Sequence, residues 1–133
     1  MTIREIIKQL EGFQAHHQVL AMTESGDIIN SHFQLNTCPI HSNMFSVYGN
    51  IDNDKHIHVI NNKRLIQQLK TIPYESTKTG YKGQKIDYVE PEDRTLLFTN
   101  SLRSIYCGKY KYLTPHHIFK DQTDKIIIVC KEN

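Results

Sequence analysis

Apolar positions along this chain fall into short runs whose period changes from one run to the next. Ile3, Ile6, Ile7 and Leu10 recur at the spacing of one helical face. Thr2-Ile-Arg-Glu5 precedes and overlaps them as a capping box, in which the Thr2 hydroxyl bonds the Glu5 amide and the Glu5 side chain reaches back. Gly12 is placed to end the segment, so the pattern predicts a helix over residues 3–11.

Residues 18–23 and 27–35 then read as two strands about the turn Glu24-Ser-Gly26, a β-hairpin. Residues 36–43, with Pro39 among polar side chains, read as a loop. Residues 44–48 are strand-like, Gly49 to Asp54 carries turn chemistry, and 56–60 is strand-like again. In that last run His56, His58 and Ile60 would share one face and Ile57 and Val59 the other. Asn61 or Asn62 can cap a second helix, where Leu65, Ile66 and Leu69 return at helical spacing and Pro73 marks the stop.

Residues 74–84 concentrate Ser76, Thr77, Thr79, Gly80 and Gly83 and read as a mobile loop. Residues 85–90, 95–99 and 104–112 read as strands, and Thr114-Pro115 as the start of a short helical turn, Thr114 capping it. Residues 121–124 form a turn. The apolar run 126–130 has the pattern of a central strand buried on both faces. Together these predict an α+β domain over residues 1–133, with two short helices and a mainly antiparallel sheet of about six to seven strands.

Composition narrows the class. An apolar fraction of 38% in periodic segments suits a globular domain rather than a disordered chain. The longest apolar run, 126–130, is far shorter than the ~20 residues of a membrane span. The first ten residues are interrupted by Arg4, Glu5 and Lys8, unlike a secretory signal. Three cysteines, Cys38, Cys107 and Cys130, cannot all pair within one chain and suit a reducing compartment. The expected location is therefore cytoplasmic, with no membrane partner.

Charge is unevenly distributed. Residues 1–60 hold three basic and six acidic side chains; by difference from 16 and 14, the remainder holds 13 and eight. The C-terminal part is thus net positive, which points to an anionic partner. Within it, Arg103-Ser-Ile-Tyr-Cys-Gly-Lys-Tyr-Lys-Tyr112 interleaves cations and rings. On a strand, Lys109 and Lys111 would share one face and Tyr110 and Tyr112 the other. Lys82 and Lys85 could extend the phosphate-contacting surface, and Arg103 could enter a narrow minor groove. The same alternation also suits a half-buried strand with tyrosines in the core and lysines in water.

Other chemistry is less well supported. Cys38-Pro-Ile-His41 has zinc-knuckle spacing and could join His56 and His58 as metal ligands, but no second Cys-x-x-Cys or Cys-x-x-His accompanies it. No nucleophile elbow or phosphate-binding glycine loop is present; Glu90, Glu92 and Asp93 around Pro91 read as a solvated turn. The expectation is a protein without enzymatic activity and without a cofactor.

From residue 84 onward the chain carries Lys85-Ile-Asp-Tyr-Val-Glu-Pro91, Leu96-Leu-Phe-Thr-Asn-Ser101, Ile105-Tyr-Cys-Gly108, Pro115-His-His-Ile118 and Lys125-Ile-Ile-Ile-Val129. The order of these features resembles the ComK family of competence transcription factors. The family's proline after the aromatic strand and its tryptophan after the cysteine have no counterpart here. The resemblance implies transcriptional activation through minor-groove binding of AT-rich DNA. The opening Met1-Thr-Ile-Arg-Glu5 is also similar to small phage- and plasmid-borne proteins. The leading functional expectation is accordingly a DNA-associated transcriptional regulator. The alternatives are a protein-interaction module, such as an inhibitor or accessory factor of a mobile element, and a zinc-supported domain.

Overall fold

A computed structural model describes residues 1–37, 44–52, 56–71, 89–100 and 112–132. Two helices are present among them, α1 (Ile3–Leu10) and α2 (Asn62–Lys70). They accompany seven strands: β1 (Gln18–Thr23), β2 (Ile28–Thr37), β3 (Met44–Ile51), β4 (Ile60–Asn61), β5 (Thr95–Thr99), β6 (Leu113–Lys120) and β7 (Ile126–Glu132). A 3₁₀ turn, Pro91–Asp93, leads into β5.

The strands form one sheet in the order β2-β3-β5-β6-β7-β1-β4, and a further β1–β2 pairing closes six of them into a barrel. Closure depends on how β1 divides its two edges. One edge runs parallel to β7 from Val19↔Ile126 to Thr23↔Cys130. The other is shared: Gln18 and Val19 pair with β4, while Ala21 and Met22 pair with β2. β4 therefore lies outside the ring. β3–β5 is the second parallel pair, and the other pairings are antiparallel, in keeping with a mainly antiparallel α+β fold.

Among the described residues, β5 and β6 pair only at Phe98↔Leu113, a thin seam in the barrel. The chain's first residues flank the splayed part of this seam. Thr2 bridges Thr95, the Ile3 amide donates to the Arg94 carbonyl at 2.8 Å, and the Met1 amino group donates to the Pro115 carbonyl at 3.2 Å. α1 thus enters beside the start of β5 and closes that end. Its Ile3, Ile6 and Leu10 are buried in the same core as Val19, Ala21, Phe33, Phe45, Val47, Phe98, Ile126 and Ile128 from the barrel interior. Leu65 and Leu69 of α2 complete that core.

The two caps differ in reach. Thr2 Oγ1 accepts from the Glu5 amide and donates to Glu5 Oε1, both at 3.2 Å, so the reciprocal bond goes to the hydroxyl rather than to the backbone. Asn61 Oδ1 accepts from the Arg64 amide at 2.8 Å, which makes Asn61 the cap of α2 and Asn62 its first residue. Asn62 is fully buried and ties the helices together: its amide donates to the carbonyls of Leu10, Phe13 and Gln14 at 2.7, 3.4 and 3.3 Å.

Several elements depart from the sequence pattern. β3 runs on through Gly49, Asn50 and Ile51, where turn chemistry predicts a break. Gly49 is needed there because a Cβ would lie 2.7 Å from Ile29 Cγ2 and 3.0 Å from Phe98 Cδ1. The strand expected at 56–60 shrinks to Ile60–Asn61. Ahead of it, Asn30 substitutes for a ladder: Asn30 Oδ1 accepts from the His58 amide at 2.9 Å and Nδ2 donates to the His56 carbonyl at 3.3 Å. No helical turn starts at Thr114-Pro115; both belong to β6. Pro115 is tolerated because the register with β7 shifts between Pro115 and His117, a bulge that leaves room for a residue without an N–H. β2 extends to Thr37, into the expected loop. Val89 and Glu90 are not in a strand, and the rest of the expected 85–90 and 104–112 strands and the 74–84 loop lie outside the described residues.

β7 answers to the expected doubly buried strand. Ile126, Ile128 and Cys130 point into the barrel, and Ile127 on the outer face is also buried. The 121–124 turn preceding it is organised by Asp121. Its Oδ1 accepts from the amides of Thr123 and Lys125, both at 2.9 Å, and from the Thr123 hydroxyl at 2.8 Å, while Asp124 takes φ +61°.

Candidate functional site

Among the described residues, none covers the barrel end opposite α1. A cavity of about 560 Å³ is lined by the C-terminal ends of β1, β3, β5 and β7 and the start of β6. Its floor is apolar, built from Gly49, Phe98, Leu113 and Cys130. Its rim is polar, with Ser25, Asp27, Asn50, Asn100, Lys131 and Glu132. The alternation of the strands produces this division: inward-facing residues form the floor, and the last residues of each strand, where pairing ends, form the rim.

The thiol at the floor is chemically quiet. Cys130 is fully buried, and that burial pushes its pKa up from 9.0 to about 12. A thiol held protonated is a poor nucleophile. Its Sγ makes a long contact with the Ile128 carbonyl at 3.9 Å.

Of the expected nucleic-acid residues, Tyr112 is described: it is half-buried and lines the mouth of the barrel. Arg103, Lys109, Lys111, Lys82, Lys85 and Tyr110 lie outside the described residues. Asn100 and Tyr112, the described residues that flank the 101–111 segment, both line the mouth.

Of the candidate metal ligands, His56 and His58 are among the described residues. His56 and His58 are both exposed and precede β4 instead of sharing a strand face, because the Asn30 side chain holds this stretch from one side only. Cys38 and His41 lie outside the described residues. The His58 ring packs against His32, with centroids 3.7 Å apart and planes at 39°. Among the described residues no three His, Cys, Asp or Glu side chains are placed to hold a metal ion. The Glu92 and Asp93 carboxylates are exposed and pair with Arg4 at 2.8 and 3.3 Å, as a solvated turn would.

Sequence reasoning missed His32. It stands beside a β-bulge of β2 between Ser31 and Leu35, where the buried Phe33 adopts φ +56° and its amide donates to Ser31 Oγ at 2.9 Å. A bulge of this kind re-aims the neighbouring side chains, and no local pattern announces it because Phe33 is neither Gly nor Asn. Phe33 is held there by the core, its ring edge-on to Phe98 at 6.0 Å.

No protein family, curated protein or solved structure matches the chain. No helix among the described residues is long and apolar enough to cross a membrane.

Proposed function

We propose that the protein is a small non-enzymatic binding protein that acts at the open end of its barrel, with DNA as its partner and transcriptional regulation in the cytoplasm as its setting. The observation that carries this reading is the position of Asn100 and Tyr112. Both lie on the mouth of the barrel, and the sequence between them is the basic-aromatic segment with Arg103, Lys109, Tyr110 and Lys111. Lys131 lies on the same rim, beside the carboxylates of Asp27 and Glu132, so the cations of this reading come from the 101–111 segment. The net positive charge of residues 61–133 supports an anionic partner. In this reading Lys109, Lys111, Lys82 and Lys85 contact phosphates, and Arg103 enters a narrow, AT-rich minor groove.

Titration of AT-rich and mixed duplexes over a range of salt tests the reading. Each phosphate neutralised contributes a slope of about −0.9 in log affinity against log salt. Combined Lys109→Ala and Lys111→Ala should flatten that slope by up to roughly 2 and weaken all sequences alike. Arg103→Ala should instead erode the preference for AT-rich duplex. Absence of binding to either duplex at tens of micromolar protein, near physiological salt where even non-specific binding is about 10⁻⁴ to 10⁻⁶ M, overturns the DNA reading. A protein partner then becomes the better account. Tyr48 and Ile51 of β3, 55% and 53% exposed, are the first residues to examine in that case.

A further inference from the structure

We propose a second binding site, away from the mouth of the barrel, for a phosphate monoester or a similar dianion, formed by His32, His58 and Arg64. These three come from different elements: His32 from the bulged part of β2, His58 from the stretch ahead of β4, and Arg64 from the first turn of α2. They line one cavity of about 600 Å³ together with Gln34 and Gln68. Among the described residues no acidic side chain lines it. The described titratable or charged groups that line it are the two imidazoles and Arg64, which makes no ion pair among the described residues.

Each contributor is held by a separate device. The β2 bulge at Ser31–Leu35 brings His32 out of regular register. Asn30 Oδ1 fixes the His58 backbone. Arg64 and Gln68 stand one turn apart on α2, and so on the same helical face. The buried Gln68 Oε1 has no hydrogen-bond partner among the described residues. Rotation of the amide would present its NH₂ at the same point as a donor.

The chemistry follows from the spacing. His32 and His58 bring two imidazoles to centroids 3.7 Å apart, and Arg64 adds a permanent cation to the same cavity. A dianion bound within reach of both rings matches this set. Each imidazolium donates a charge-assisted hydrogen bond, and the planar guanidinium of Arg64 can donate two. Binding and protonation are then linked, so affinity rises as pH falls through the range in which imidazoles titrate. A phosphodiester carries a single charge and should bind less well than a monoester.

The test is titration of the full chain with sodium sulfate, phenyl phosphate and dimethyl phosphate, followed by the imidazole proton resonances and by calorimetry. Sulfate stays doubly charged throughout, so its pH dependence reports on the protein alone. Sulfate should shift the His32 and His58 resonances and bind about tenfold or more tightly at about pH 5.5 than at about pH 7.5. Arg64→Ala should weaken it by about tenfold or more. His32→Ala with His58→Ala should remove the pH dependence while circular dichroism shows the fold retained. If that double variant has lost its fold, the wild-type resonances decide the matter. Phenyl phosphate should bind more tightly than dimethyl phosphate. Failure of sulfate to move either resonance at about pH 5.5, or undiminished binding in Arg64→Ala, overturns the site. Equal binding of the diester overturns the assignment to a monoester. These outcomes are separate from DNA binding through Lys109 and Lys111, which different variants test.

Discussion

Asn62 Nδ2 donates to the carbonyl of Leu10 across 2.7 Å, at the point where α1 ends. The first residue of one helix thereby satisfies the C-terminus of the other. The same amide also reaches Phe13 and Gln14, so it holds the whole connection from α1 towards β1. Because Asn62 is fully buried, loss of its amide removes one buried hydrogen bond, to Leu10, and two part-buried ones, to Phe13 and Gln14. Asn62→Ala should cost about 1–3 kcal/mol in denaturant unfolding. Asn61→Ala removes only an exposed cap and should cost about 1 kcal/mol. A larger loss at Asn61 than at Asn62 would mean that the clamp is not what joins the helices.

Gly49 permits β3 to approach β2 and β5 at the level of the core. Gly49→Ala should destabilise by about 1–3 kcal/mol, since the new Cβ meets Ile29 Cγ2 and the Phe98 ring. Ile29→Ala deletes that Cγ2. The double variant should therefore lose less than the sum of the two single losses, by about 0.5 kcal/mol or more. Simple additivity would place the cost of Gly49→Ala in backbone freedom rather than in crowding.

The Cys130 thiol sets an alkaline limit on stability. Its pKa is raised from 9.0 to about 12 by burial, so the folded chain binds this proton more tightly than the unfolded chain. Stability from this group is full below about pH 9 and is lost as pH rises towards about 12, at up to about 1.4 kcal/mol per pH unit. Cys130→Ala should remove this alkaline dependence. In a Cys38→Ser, Cys107→Ser background, a thiol reagent should modify Cys130 at neutral pH only as fast as the fold opens. Rapid modification of the native protein would contradict the burial.

Asp121 should show the opposite sign. Hydrogen bonds from the Lys125 amide and the Thr123 hydroxyl hold its carboxyl below the usual value of 3.8. Its contribution to the β6–β7 turn is present above that value and is lost as pH falls below it. Carboxyl-detected NMR titration should find Asp121 ionised in acid where ordinary aspartates are already protonated. Asp121→Asn should abolish that acid dependence without moving the alkaline limit set by Cys130.

How far the chain could be read from its sequence varies element by element. Thr2 and the Ile3, Ile6, Leu10 stripe specify α1, and Gln18–Thr23 and Thr95–Thr99 coincide with the strands they predict. In each case the signal is a period or a cap within a few residues. The Ile126–Cys130 run announces a strand buried on both faces for the same reason. Three local signals misled. Thr114-Pro115 has the chemistry of a helix start yet enters β6, because the bulge against β7 accommodates the proline. Gly49-Asn50 has the chemistry of a turn yet continues β3, because the approach of Ile29 and Phe98 requires a glycine. His56 to Ile60 alternates like a strand, but the Asn30 side chain occupies the place of a partner strand.

What the sequence determined by itself was therefore the set of segments and most of their inward faces, because helix caps and apolar periods are decided by near neighbours. Tertiary structure alone decided the rest. Closure of the barrel requires β1 to divide one edge between β2 and β4 while β7 returns parallel along the other, a pairing between residues about a hundred positions apart in sequence. The meeting of His32, His58 and Arg64 is of the same kind. It depends on a bulge, on a side-chain hydrogen bond and on where a helix begins, and each of these is settled by what packs against it.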